Sequence, residues 1–229
     1  MTSLEKYQNE LIEHSMAAGA LKFGSFILKS GRNSPYFFNA GLLASGAVLD
    51  AVGSAYASTI ADALKASPAL PQFDVIFGPA YKAISFAACA ALLLHREHAI
   101  DVGYAYDRKE AKDHGEGGVM VGAPVKGKRV LVLDDVATAG TAIRGSIEKV
   151  RAEGGEVVGA VLMLDRQEVG RESSKSMIQE VEGLLGGNGS VVTILKMKHL
   201  MRWLEQNGRT EELARMQEYW EQYGAKDSE

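Results

Sequence analysis

The sequence predicts an α/β chain built on a mostly parallel sheet with helices on both faces. Three observations carry that expectation. Short apolar runs at 74–77, 100–106, 130–133, 156–164 and 191–195 have the length and content of buried strands. Segments of helical spacing separate most of them, and such alternation joins parallel strands through crossover helices. Polar and turn-forming residues gather after several runs, at what becomes the carboxyl edge of the sheet, where open sheets of this class bind ligands. One stretch breaks the alternation. Residues 21–39 read as a hairpin and, with the helix before them, are expected to form a hood over that edge.

In chain order, Leu4, Tyr7, Leu11, Ile12 and Ser15 recur at helical spacing and predict an amphipathic helix over residues 4–18. Residues 21–28 and 36–39 read as strands flanking the turn formers 30–35. Residues 46–66 form an Ala-rich helix that ends at the Ser67-Pro68 break. Strand 74–77 leads through Gly78-Pro79-Ala80-Tyr81-Lys82 into an apolar helix from 83 to about 95. After strand 100–106, residues 119–121 and 128–133 are expected to pair across a 122–127 turn. A helix spans 141–151, strand 156–164 follows, then helix 174–185, a glycine turn, strand 191–195 and two amphipathic helices near 198–206 and 210–222. At 229 residues the chain fits a single domain with a hood from about 1–40 and C-terminal helices from about 196–224.

A net charge of −4 argues against nucleic-acid binding as the main task. The single cysteine, Cys89, lies in an apolar run and reads as a small core residue, which leaves no disulfide or thiolate metal cluster. Residues 1–13 are too polar for a signal peptide, and no apolar run reaches the about 18 residues of a membrane span. A cytoplasmic protein is expected.

The chemistry centres on residues 130–142. A buried strand runs into Asp134 and Asp135, then a loop of small and hydroxylated residues, then a helix. Small residues before a helix N-terminus leave backbone N–H groups free for a phosphate, and Thr138 and Thr141 can add hydroxyl donors. The two carboxylates suit sugar hydroxyls. A sugar phosphate is one reading; a magnesium site or a plain helix cap are the others, although the spacing matches neither the acid pattern of such phosphatases nor a nucleotide phosphate loop. Lys82 stands at the end of the 74–77 strand, facing the same crevice or exposed in its loop. Arg108, Lys109, Lys112 and His114 put four potential cations into seven residues, with Gly115, Gly117 and Gly118 behind them. Such a run reads as a mobile lid for a polyanion, pyrophosphate by preference, or as a solvated face. Arg166 aims a planar fork of donors suited to a carboxylate, or pairs with Asp165.

The 130–142 stretch resembles the phosphoribosyl-pyrophosphate (PRPP) motif of type I phosphoribosyltransferases. Together with the 78–82 loop, the 108–118 run, Ser-Gly-Arg-x-Ser-Pro-Tyr-Phe-Phe-Asn and Asp-Arg-Gln-Glu in the same order, residues 20–170 are similar to the orotate-using branch of that family. The resemblance implies transfer of ribose 5-phosphate from PRPP to orotate, giving orotidine 5′-monophosphate and pyrophosphate in pyrimidine synthesis. It implies Mg2+ held mainly through PRPP, and a homodimer whose lid crosses into the neighbour's site. It also implies PRPP contacts from Lys29, Tyr81, Lys82, Arg108, Lys109, Lys112 and His114. Ribose and 5′-phosphate fall to Asp134, Asp135, Val136, Ala137, Thr138, Ala139, Gly140, Thr141 and Ala142. Phe37, Phe38, Thr138 and Arg166 match orotate-binding positions, and Lys109, Lys112, His114, Asp134 and Asp135 match catalytic ones. Ala83 stands where the family usually has Gly, and Ala137 where it has a larger aliphatic. Two rivals are a PRPP-binding regulator without turnover and a transferase for another base.

Overall fold

The computed structural model describes residues 3–112, 118–136, 141–170 and 176–225. Helix α1, Lys6–Ala17, is set by a capping box in which the Glu5 backbone donates to the Gln8 side chain, and it buries Leu11 and Ile12. Strands β1, Leu21–Ile27, and β2, Asn33–Phe38, pair antiparallel as expected. The second strand starts three residues earlier than the turn formers implied, because the ladder extends to Ile27↔Asn33. Pro35 is tolerated there since β2 has a partner on one side only. Helix α2, Gly46–Ala63, begins at Ser45, whose hydroxyl accepts from Val48 N–H, and stops short of the proline break. Strand β3, Val75–Gly78, is buried throughout and leads to α3, Lys82–His98. There follow β4, Gly103–Lys112; β5, Gly118–Gly122; β6, Arg129–Val136; α4, Thr141–Ala152; β7, Glu156–Asp165; α5, Met177–Leu185; β8, Val191–Lys196; α6, Met197–Gln206; and α7, Thr210–Tyr223.

The main sheet has the order β5-β4-β3-β6-β7-β8, parallel except for β5 at one edge. Two expectations are corrected here. Residues 119–121 pair with β4, Tyr106↔Val121 and Asp107↔Met120, and not with residues 128–133. Val130 to Leu133 are fully buried, so β6 belongs between two strands, whereas the half-buried side chains of β5 suit an edge. The cationic run also does not begin as a loop. Residues 108–112 prolong β4 and close a further pair, Lys112↔Gly118, with an irregularity in between. Alternating apolar residues mark the strand only to 106; beyond it Lys109 and Glu110 are exposed, where charged side chains are compatible with extended backbone. The remainder of the expected lid, 113–117, lies outside the described residues.

Alternation along each strand splits the core in two. Ile76, Leu131, Leu133, Val161, Met163 and Ile194 face α1, α2, α3 and α6. Val75, Phe77, Val130, Val132, Ala160 and Leu162 face Ile143 and Val150 of α4 and Val181 of α5. Both faces are covered, as the sequence predicted. Cutting Leu131 or Leu133 to Ala would cost about 2–5 kcal/mol, a large share of the about 5–15 kcal/mol typical of a domain. These residues therefore fix the strand that carries the acid pair. Helices α2 and α3 cross closely: a Cβ at Gly53 would fall 2.9 Å from the Cβ of Cys89. Cys89 sits half-buried at that crossing, and burial pushes its thiol pKa up. No helix among the described residues is long and apolar enough to cross a membrane.

Candidate active site

The carboxyl ends of β3, β4, β6 and β7 meet at one edge of the sheet, and among the sequence-predicted residues Tyr81, Lys82, Asp134, Asp135 and Arg166 lie at or just after those ends in the chain. At the end of β6 each acid folds back on the next peptide: Asp134 Oδ1 accepts from Asp135 N–H at 2.9 Å, and Asp135 Oδ1 from Val136 N–H at 2.8 Å. This leaves one oxygen of each carboxylate for other partners. Burial, then the charge of Asp135, raises the Asp134 pKa to about 6. From α2 the fully buried Tyr56 donates its hydroxyl to the Asp134 backbone carbonyl at 2.8 Å, and its ring stacks on Phe86. Sequence reasoning missed Tyr56. In an Ala-rich helix it reads as one more apolar residue, and only its hydroxyl's reach across the core reveals the support.

The loop after β3 turns back on itself. A Cβ at Gly78 would lie 2.3 Å from the Ala83 carbonyl oxygen, so glycine is required for the chain to enter α3 this tightly. Ala83 is accommodated in that turn, 2% exposed. The Ala80–Tyr81 peptide is cis. Lys82, the first residue of α3, reaches across to Asp135 Oδ2 at 2.7 Å, joining the β3 loop to the acid pair. Tyr81 is 65% exposed, and the Lys109 ammonium lies 4.6 Å from its ring centre. Beneath them, Asp107 is buried and accepts from Ala80 N–H at 2.6 Å and from the ammonium of Lys149.

At the end of β7, Arg166 is 9% exposed and held on three sides. Its Nε donates to Glu168 at 2.8 Å, its Nη2 to the Ser34 hydroxyl at 2.9 Å, and its guanidinium lies 4.4 Å over the ring of Tyr36. The alternative pairing with Asp165 does not form, since that carboxylate accepts from Gln167 N–H instead. Glu168 also binds Arg32 at 3.2 Å, which ties the β1–β2 turn to the segment after β7.

Other predicted residues are less tightly joined. Phe37 points outward, 42% exposed, its ring 5.6 Å from Phe26, while Phe38 turns toward the core. Lys29 is exposed beside the hairpin turn and bonds to none of the other described site residues. Arg108 is half-buried in β4, and Val136 ends β6 while Ala142 lies in the first turn of α4. Ala137, Thr138, Ala139, Gly140 and His114 lie outside the described residues, and Lys112 and Thr141 are described by backbone alone. Helix α4 does open at Thr141.

The arrangement thus offers hydroxyl acceptors, a cationic loop facing them, a helix N-terminus and a caged arginine along one edge. Residues 42–184 match the phosphoribosyl transferase domain family. The chain is 46% identical over 226 residues to the orotate phosphoribosyltransferase of Aeromonas salmonicida, covering 96% of this chain and 100% of that protein. It is 47% identical over 223 residues to its namesake from Acinetobacter baumannii, covering 97% and 99%. Among solved structures it resembles the orotate phosphoribosyltransferase of Francisella tularensis, with a TM-score of 0.80 and 36% identity over 94% of this chain and 99% of that one.

Proposed function

We propose a working mechanism from the premise that this chain belongs to the phosphoribosyltransferase family and, within it, to the orotate phosphoribosyltransferases. It transfers the ribose 5-phosphate of PRPP to orotate, giving orotidine 5′-monophosphate and pyrophosphate for pyrimidine synthesis. The observation that carries our assignment of roles is the Lys82–Asp135 contact, which brings a cation of the β3 loop to the acids of β6. In this reading Asp134 and Asp135 accept from the ribose hydroxyls, and residues 137–142, which include the start of α4, hold the 5′-phosphate. Tyr81, Lys82, Arg108 and Lys109 receive the diphosphate, together with Lys29, Lys112 and His114. Arg166 takes the orotate carboxylate, with Phe37, Phe38 and Thr138 around the ring.

The chemistry is a displacement at C1 of the ribose. A ring nitrogen of orotate forms the new bond while the bond from C1 to the diphosphate oxygen breaks, and its electron pair leaves with pyrophosphate. No protein nucleophile is needed. As the bond stretches, charge grows on the leaving oxygens, and fixed cations stabilise that charge more than they stabilise the ground state. Asp134 and Asp135 orient the sugar, and a closed site keeps water from competing for C1.

The reaction of this family depends on a divalent metal, and we assign Mg2+. Among the described residues no three His, Cys, Asp or Glu side chains converge on one point, and of the two acids near the end of β6 one is already bound to Lys82. That donor set fits a hard cation arriving on PRPP oxygens and keeping its own waters. Bound there, Mg2+ would offset the charge of the diphosphate. We further propose one domain, with hood and C-terminal helices as appended parts, a homodimer with crossing lids, and a cytoplasmic location in keeping with its one free cysteine. Loss of orotate absorbance with PRPP and Mg2+, run against uracil and hypoxanthine, tests the assignment. Turnover of either rival base at a rate equal to orotate would overturn it.

A further inference from the structure

Asp107 has no part in the chemistry above, yet it is an acid buried at the edge where that chemistry happens. Ala105 and Asp107 share the face of β4 that looks toward α4, and Asp107 is 1% exposed. A carboxylate removed from water to that degree is tolerated only with close partners. Its two oxygens serve different parts of the molecule. Oδ1 accepts from Ala80 N–H in the loop that turns into α3, and Oδ2 holds the ammonium of Lys149 on α4. Lys149 itself is half-exposed, so no packing requirement puts a cation there. A neutral amide could satisfy Ala80 N–H equally well. The negative charge is explained by Lys149, and the pair ties the 78–82 loop to α4.

We propose that Asp107 and Lys149 form a brace that sets the spacing between these two anion sites. Asp107 is then a positioning residue that never touches substrate. The proposal rests on reading the 78–82 loop and the α4 N-terminus as the diphosphate and 5′-phosphate sites of one PRPP. A ligand with anions at both ends of a ribose ring needs both sites at a fixed separation, whereas a ligand with one anionic end does not. Residues next to the brace in sequence share its placement: Lys109, two residues on, lies over the Tyr81 ring.

The test compares wild type with Lys149→Met, Asp107→Asn and Lys149→Arg in calorimetric binding of PRPP and of ribose 5-phosphate, alongside steady-state kinetics and melting temperature. Lys149→Met and Asp107→Asn should weaken PRPP binding by about tenfold while ribose 5-phosphate binding and the orotate KM stay within about twofold, as expected for a small misplacement of two subsites. Lys149→Arg should restore most of the PRPP affinity. Equal losses for PRPP and ribose 5-phosphate would overturn the brace, as would a lower melting temperature with PRPP binding unchanged. Lys149 is the safer of the two sites because its removal opens no cavity. If wild type binds PRPP but does not consume orotate, the base assignment falls while the brace is still decided by the binding data.

Discussion

Burial and the charge of Asp135 raise the Asp134 carboxyl to about 6, from 3.8 in an unperturbed chain. The folded protein holds this proton more tightly than the unfolded one. The stability that Asp134 contributes is therefore fully present below about pH 3.8 and is lost as pH rises through about 6. Its proposed task runs the other way, because the ionised form is acceptor-only and the stronger partner for ribose hydroxyls. Asp134→Asn should accordingly raise stability at pH 7.5 by on the order of 1–3 kcal/mol, a few degrees in melting temperature, while abolishing most activity. At pH 4 the gain should vanish. A variant no more stable than wild type at pH 7.5 would contradict the burial account. Arg166 poses a different question, since Glu168 already supplies it with a carboxylate. If it selects orotate, Arg166→Ala should raise the orotate KM by a margin on the order of 2–5 kcal/mol and shrink the orotate-to-uracil ratio of kcat/KM. If its contacts with Glu168 and Ser34 only fasten the hood, the melting temperature falls and that ratio stays put. Measuring both on one preparation decides the matter.

At the scale of elements, β4 joins architecture to chemistry, because its buried half ends at Asp107 and its charged half carries Arg108 and Lys109 past the end of β3. Lys109→Ala should lower kcat by roughly 10–100-fold with little change in orotate affinity, as a cation matched to the leaving diphosphate requires. Parallel losses in both would remove the lid assignment. Most elements could be read from the sequence, because a strand covered on both faces is apolar along its length and its flanking helices repeat every three to four residues. The extension of β4 and the partner of β5 could not. Both depend on which strand lies alongside, and hydropathy does not carry that information. Of the site, the acids, Lys82 and Arg166 were legible because their chemistry is unusual after an apolar run. Tyr56 and Glu168 were not, since each acts through a bond to a residue far away in the chain or across a turn, and each alone is an ordinary side chain.

For the whole molecule, the proposed dimer makes a quantitative prediction. An Asp134→Asn/Asp135→Asn double variant lacks the sugar acceptors, and a Lys109→Ala/Lys112→Ala variant lacks the lid cations. If lids serve the neighbouring site, a scrambled mixed dimer has one site with both defects and one with neither. Equal mixing should then recover about a quarter of wild-type activity, since half of all dimers are mixed. No recovery, with exchange verified by a mass-tagged subunit, would confine each site to one chain. The Lys82–Asp135 pair also bears on how substrate would be taken up. Each of these groups already holds a stand-in for its ligand: the ammonium has an anion, and the carboxylate has a donor. On the proposed roles, PRPP enters by exchanging partners, its diphosphate taking the lysine while its hydroxyls take the acid. Measured affinity is then a difference between two nearly matched sets of bonds. Such a site can grip its substrate firmly through the reaction and still let go of the product, because the vacated charges have each other to return to.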